Sequence, residues 1–275
     1  MLTKTMIENS IGLIKMYCPN LFLYLKEKEF ISFLSNAIKY TNKNGGGTTS
    51  NNFIVTFFEL IKEHNNNNSN IVRSEFSYFN YLLGEFQKYG SKKEFKNLLI
   101  GAINNFKQNN FHHALGEIAV CLNCSLKNNF EKYERELINN KSIDLEFTNV
   151  NKETILVEVL TIDYLKSKYE KENFKTFLDG RLRNKFKDKT KDLELNFKRK
   201  IKVFPVLNGF TIEIIKEQSE YLKNVSNSTI EKDGFQTYQP RAFGNIQGAF
   251  FNLFTIDEII DPEKIKKTTA NTVYS

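Results

Sequence analysis

The 275-residue chain carries 39 Lys and Arg against 32 Asp and Glu, a formal charge of +7, with 40% hydrophobic residues including 25 Phe. That is enough apolar material for one large domain, or for a core with a helical extension. A mean hydropathy of −0.44, with no apolar run near the roughly 20 residues a bilayer requires, excludes an integral membrane protein.

The first residues, Met1-Leu-Thr-Lys-Thr-Met6, lack the charged-then-apolar layout of a signal peptide, so the expected location is the cytoplasm. A pI near 9.0 favours an anionic partner such as nucleic acid. An Asn- and Lys-rich composition is an equally plain source of that charge. Cys18, Cys121 and Cys124 do not make a disulfide framework. The Cys121-Leu-Asn-Cys124 pair falls on an apolar helix and reads as structural thiols.

Residues 1 to 110 read as helical. Apolar residues recur at helical spacing at Ile11, Leu13, Ile14 and Tyr17, at Phe22, Leu25, Phe30, Phe33 and Leu34, and at Phe53, Phe57, Leu60 and Ile61. Two Asn-rich stretches, 42–52 and 64–70, read as exposed loops. Helices are expected over 74–89 and 91–107, the latter with Ser91 and Glu94 in a capping-box pattern.

From Phe111 the character changes. His113 to Leu122 is apolar almost all round, the mark of a buried helix. A charged connector follows, then two expected strands, 143–148 and 154–162. The second is a continuous apolar run broken by Glu158 and Thr161, as a central strand covered on both faces would be. A charged helix is expected over 174–198, with the stripe Leu182, Phe186, Leu193 and Phe197. Strands are then expected over 201–207, 210–215, 235–240 and 248–254. Together these elements predict an α/β fold. Residues 1–110 form a helical N-terminal region, 111–262 an α/β core and 263–275 a tail.

Three carboxylates stand where carboxylates are unfavourable. Glu117 is alone between His113 and Leu122, with Leu115, Ile118, Ala119 and Leu122 turned away from it. Glu158 lies mid-strand, sharing a face with Leu156 and Leu160. Asp144 opens the preceding strand. An unpaired buried carboxylate is unfavourable by several kcal/mol. Three converging on one pocket would repel unless a divalent cation neutralised them, and magnesium suits all-oxygen ligands with retained waters. The alternative is an ordinary α/β domain in which Asp144 and Glu158 form salt bridges.

The helix bearing Glu117, the Asp144 strand, the Glu158 strand and the Lys-rich helix after them resemble the PD-(D/E)xK nuclease superfamily, over roughly 111–207. The resemblance implies a restriction-endonuclease-like core, a mixed sheet flanked by helices. It implies Mg²⁺ (or Mn²⁺) held by Asp144 and Glu158 with Glu117 as an auxiliary ligand, hydrolysis of phosphodiester bonds, and nucleic acid as partner, DNA ahead of RNA. Two positions depart from the pattern: Ile143 replaces the proline, and Leu160 replaces the lysine that assists the attacking water. In some relatives that lysine comes from the next helix. Here Lys189 occupies a position where the stripe predicts an apolar residue, and Lys185 lies one turn earlier.

Without such a lysine, the chain would be a catalytically lapsed nuclease-fold module that binds nucleic acid or a protein partner. His113 lies on the Glu117 side of its helix and reads as structural, or as a support for that ligand. The basic run Arg181 to Lys191 reads as a solvated face or a phosphate grip. Gln236, Gln239 and Arg241 are further candidates for lining the site.

Overall fold

A computed structural model describes residues 4–43, 57, 71–89, 91–104, 111–164, 173–225, 230–246 and 250–265. The chain divides into two compact units, Met1–Ile118 and Ala119–Ser275. The boundary falls inside one helix.

The first unit is helical among its described residues. It comprises α1 (Lys4–Tyr17), a 3₁₀ turn (Pro19–Leu23), α2 (Glu27–Lys43), α3 (Ile71–Phe86), α4 (Lys92–Asn104) and the first part of α5 (Phe111–Ser125). Aromatic rings fill its core. Phe76 stacks on Phe111 with centroids 5.4 Å apart, and the Tyr24 hydroxyl donates to the Leu83 carbonyl at 2.8 Å. The Asn-rich stretches expected as loops fall outside the described residues except for 42–43, which belong to α2. The expected helix around Phe53 to Ile61 is described at Phe57 alone, a buried helical residue.

The second unit is mixed α/β: a six-stranded sheet flanked by helices, with its strands in sequence order. The strands are β1 (Asn129–Glu136), β2 (Ser142–Thr148), β3 (Thr154–Asp163), β4 (Ile201–Asn208), β5 (Arg241–Ile246) and β6 (Phe250–Thr255). Pairing is antiparallel from β1 to β3, parallel from β3 to β5, and antiparallel between β5 and β6. The parallel pairs require crossovers. The first contains α6 (Phe174–Thr190) and the short α7 (Leu195–Lys198); the second contains α8 (Ile212–Glu217) and α9 (Ser219–Asn224). Helix α6 buries Phe174, Leu178, Leu182, Phe186 and Thr190 at four-residue spacing. The stripe packs into one core with Leu156, Leu160 and Ile162 of β3 and Ile201, Val203 and Leu207 of β4.

Four expectations are corrected. The charged connector before β2 contains an edge strand, β1, whose alternation is masked because residue after residue is exposed. The charged helix stops at Thr190, and Asp192 takes a left-handed backbone (φ 64°), so Leu193 and Phe197 do not continue its stripe. The apolar run 210–215 is helical, because Gly209 (φ 73°) turns the chain out of β4 and the Thr211 hydroxyl caps the N–H of Ile214. The run 235–240 makes a single bridge, Thr237 to Val203, in place of a strand. Past β6, α10 (Ile256–Ile260) opens with a capping box from Thr255 and Glu258. Of the expected tail, 266–275 lie outside the described residues.

Candidate active site

The geometry around Glu158 follows from where the β2–β3 ladder ends. Leu156 N–H donates to the Lys200 carbonyl at 2.9 Å and Tyr164 N–H to that of Asn208 at 2.8 Å. Even-numbered β3 residues therefore direct their N–H groups at β4, and odd-numbered ones direct theirs at β2. The ladder with β2 runs only from Thr148↔Thr154 to Leu145↔Val157. The next N–H on that side, Val159's, has no strand carbonyl facing it. The Asp144 carboxylate takes it, Val159 N to Oδ2, at 2.8 Å. A backbone donor that would otherwise be orphaned thus fixes the Asp144 side chain.

Continuing the same register sets Asp144 opposite Glu158, on one face of the sheet. The Glu158 side chain is wholly buried. Its register partner on β4 is Val203, and the core of α6 covers that face. Two lysines reach it from α6. Lys185 Nζ lies 2.7 Å and Lys189 Nζ 3.0 Å from the same atom, Glu158 Oε1. Both contacts are ion pairs; neither meets hydrogen-bond geometry, and Oε2 has no hydrogen-bond partner.

The placement of the lysines is helical arithmetic. Residues 185 and 189 each follow a buried stripe residue, Leu182 and Phe186, by three positions, and they are four apart from each other. They therefore share one flank of the stripe. Like charges at that spacing repel, and Glu158 between them offsets the repulsion. Lys189 is 13% exposed, and its ammonium also donates to the Ser142 carbonyl at 2.6 Å, tying α6 to the start of β2. The β1–β2 turn holds the end of the helix. The Asn139 amide donates to the Lys189 and Lys191 carbonyls at 3.0 and 2.7 Å, and Lys141 pairs with Asp188 at 2.9 Å.

The electrostatics of the cluster are legible at Asp144. Burial pushes its carboxyl up to about 7, and the Glu158 charge pushes the same way. The two lysines and the Val159 N–H oppose the rise without cancelling it.

The cluster thus brings together Asp144, Glu158, Lys185 and Lys189. Leu160, at the position of the absent lysine, is buried in the apolar core. Glu117 belongs to the first unit, on a partly exposed position of α5. Among the described residues no three His, Cys, Asp or Glu side chains form a metal-binding group. His112 has its Nε2 3.0 Å from Glu75 Oε1, a pairing that nothing in the spacing signalled. Arg183 is engaged by both oxygens of Glu231 and lies over the Phe235 ring, so its part in the basic run is structural. Gln236 donates to the Arg199 carbonyl, and Gln239 and Arg241 line a separate cavity.

The donor set fits a hard divalent cation in outline. Mg²⁺ is commonly held by one or two carboxylates while it keeps several waters and contacts substrate phosphates. Asp144 and Glu158 supply two carboxylates, with Oε2 buried and without a donor. Two ammoniums formally cancel the two carboxylate charges, so the pocket alone attracts a dication weakly, and an anionic substrate would restore the attraction. The chain matches no protein-family model, no curated protein and no solved structure.

Proposed function

We propose that the chain is a divalent-metal-dependent nuclease of the PD-(D/E)xK type, in which lysines from the helix after the Glu158 strand replace the lysine absent at Leu160. The observation that carries this reading is the convergence of Lys185 and Lys189 on Glu158 Oε1 beside Asp144. An ion-paired glutamate alone would be satisfied by one lysine. Two, next to a second carboxylate, make a site with both metal-binding and phosphate-binding groups.

Asp144 and Glu158, both in the second unit, would hold Mg²⁺ or Mn²⁺. When bound, the ion would polarise the scissile phosphodiester and lower the pKa of a water. The chain's own groups do the rest. The Val159 N–H orients Asp144. Lys189, anchored by the Ser142 carbonyl, presents its ammonium next to the carboxylates, where it can stabilise charge developing on a phosphate. Lys185, at 31% exposed, is the more accessible of the two lysines and would meet a substrate phosphate.

The test incubates purified protein with DNA and RNA substrates in Mg²⁺ or Mn²⁺, alongside Asp144→Ala and Glu158→Ala. Cleavage by wild type that is lost in both variants and on chelation supports the reading. Equal residual cleavage in all three overturns it, and salt-dependent binding without cleavage points to a lapsed module.

A further inference from the structure

Lys185 and Lys189 meet the same oxygen, but the fold holds them by different means. Lys185 stands more than a full turn before the end of α6 at Thr190, where the helix itself fixes its backbone. Lys189 is the next-to-last residue. The carbonyls of a last turn lack intrahelical donors, and helix ends fray. Leu193 N–H, the donor four residues on that would serve the Lys189 carbonyl, goes to Thr190 instead, at 3.1 Å.

Asn139 supplies the missing donor. Its amide nitrogen donates to the Lys189 carbonyl at 3.0 Å and to the Lys191 carbonyl at 2.7 Å. One amide thus spans Thr190 and fixes both the end of the helix and the direction in which the chain leaves it. Its Oδ1 accepts from Lys141 N–H at 3.3 Å, so both ends of the amide are engaged. The turn that carries it, 137–141, is tied down in its own right. Leu137 N–H donates to the Lys141 carbonyl at 2.7 Å, Asn140 takes a left-handed backbone (φ 59°), and the Leu137 side chain is buried in the core that α6 covers. The Ser142 carbonyl just beyond the turn accepts from the Lys189 ammonium at 2.6 Å. The hairpin therefore holds Lys189 by its main chain and by its side chain.

We propose that Asn139 is a positioning residue for Lys189: it holds the last turn of α6 so that the ammonium meets Glu158 Oε1, a place that Lys185 keeps without it. The effect on cleavage rests on the nuclease reading; the placement of the ammonium does not. A catalytic group misplaced by about 1 Å can cost up to about 10²-fold in rate.

The test compares wild type with Asn139→Ala and the isosteric Asn139→Asp, which keeps the volume and removes the donors. In protein labelled with ¹⁵N-lysine, the Lys189 ammonium signal is identified by its loss in Lys189→Met. It should exchange with water at least about tenfold faster in both Asn139 variants than in wild type, because the turn that shields it opens more often. Single-turnover cleavage of labelled DNA in saturating Mg²⁺ should slow about tenfold in N139A, with the Kd for the DNA unchanged. Added to Lys185→Met, N139A should cost the same factor again; added to Lys189→Met, it should cost nothing further. Equal ammonium exchange in wild type and both Asn139 variants would overturn the proposal. So would N139A cleaving at the wild-type rate, or an undiminished loss in the Lys189→Met background, which marks a general structural role. No cleavage by wild type defeats the nuclease reading, and the ammonium exchange alone then decides for or against the placement.

Discussion

Lys185 Nζ stands 2.7 Å from Glu158 Oε1, so a lysine whose side chain is 31% exposed is held against a glutamate side chain that is wholly buried. The pair joins a crossover helix to the central strand it covers. Lys189, at 3.0 Å from the same oxygen, completes a triad in which one anion is shared by two cations.

The triad has a measurable energetic signature. Lys185→Met or Lys189→Met alone leaves Glu158 one cation, and each should destabilise by about 1–2 kcal/mol. The double variant strands a buried charge and should lose about 3–5 kcal/mol. Adding Glu158→Gln to the double variant should recover most of that loss. Urea unfolding of the set, read as a mutant cycle, measures it.

Asp144 makes stability depend on pH in an unusual direction. Its folded carboxyl is raised to about 7 from an ordinary value of 3.8. Between those values the folded protein holds a proton that the unfolded chain has released, so stability falls as pH rises through the window and is level above it. A rise of that size sets an upper bound of about 4 kcal/mol, and the partial exposure of Asp144 reduces this to about 1–2 kcal/mol. Asp144→Asn should therefore be more stable than wild type at pH 8 and equal to it near pH 4. Thermal melts at the two pH values, in chelator, check the sign. Saturating Mg²⁺ should narrow the gap at pH 8, since a ligand stabilises the form that binds it.

Two glycines should respond oppositely to alanine. Gly234 has φ +83°, and an added Cβ would sit 3.0 Å from Lys198 Cβ and 3.3 Å from Leu195 Cδ1. Gly234→Ala should destabilise by about 1–3 kcal/mol. Gly180, inside α6, has nothing within 4 Å of the added atom, and Gly180→Ala should stabilise by about 0.5–1 kcal/mol. Denaturant midpoints separate the two.

Sequence patterns revealed the elements whose periodicity burial enforces. The β3 run and the buried helix before it were readable because apolar residues fill nearly every position. The turn from β4 into α8 was not, because Phe210 to Ile215 has strand-like composition and only the geometry at Gly209 and Thr211 makes it helical. Edge strand β1, with one buried residue, left no alternation to read. In the site, Lys189 was singled out by a stripe carried through to Phe197. The helix ends at Thr190, and the lysine reaches Glu158 from the flank of a shorter stripe. The Asp144 bond to Val159 N–H depends on where a ladder stops, which is a matter of register and not of composition.

The central claim is that helix-borne lysines serve the two carboxylates in phosphodiester cleavage. Its most direct test is the single-turnover cleavage rate of a labelled DNA duplex in saturating Mg²⁺, for wild type, Lys185→Met, Lys189→Met and the double variant, at a temperature where all are folded. At least one single variant should lose about 10²-fold or more, and the double should lose no less. Cleavage by the double variant at the wild-type rate, or none by wild type, would contradict it.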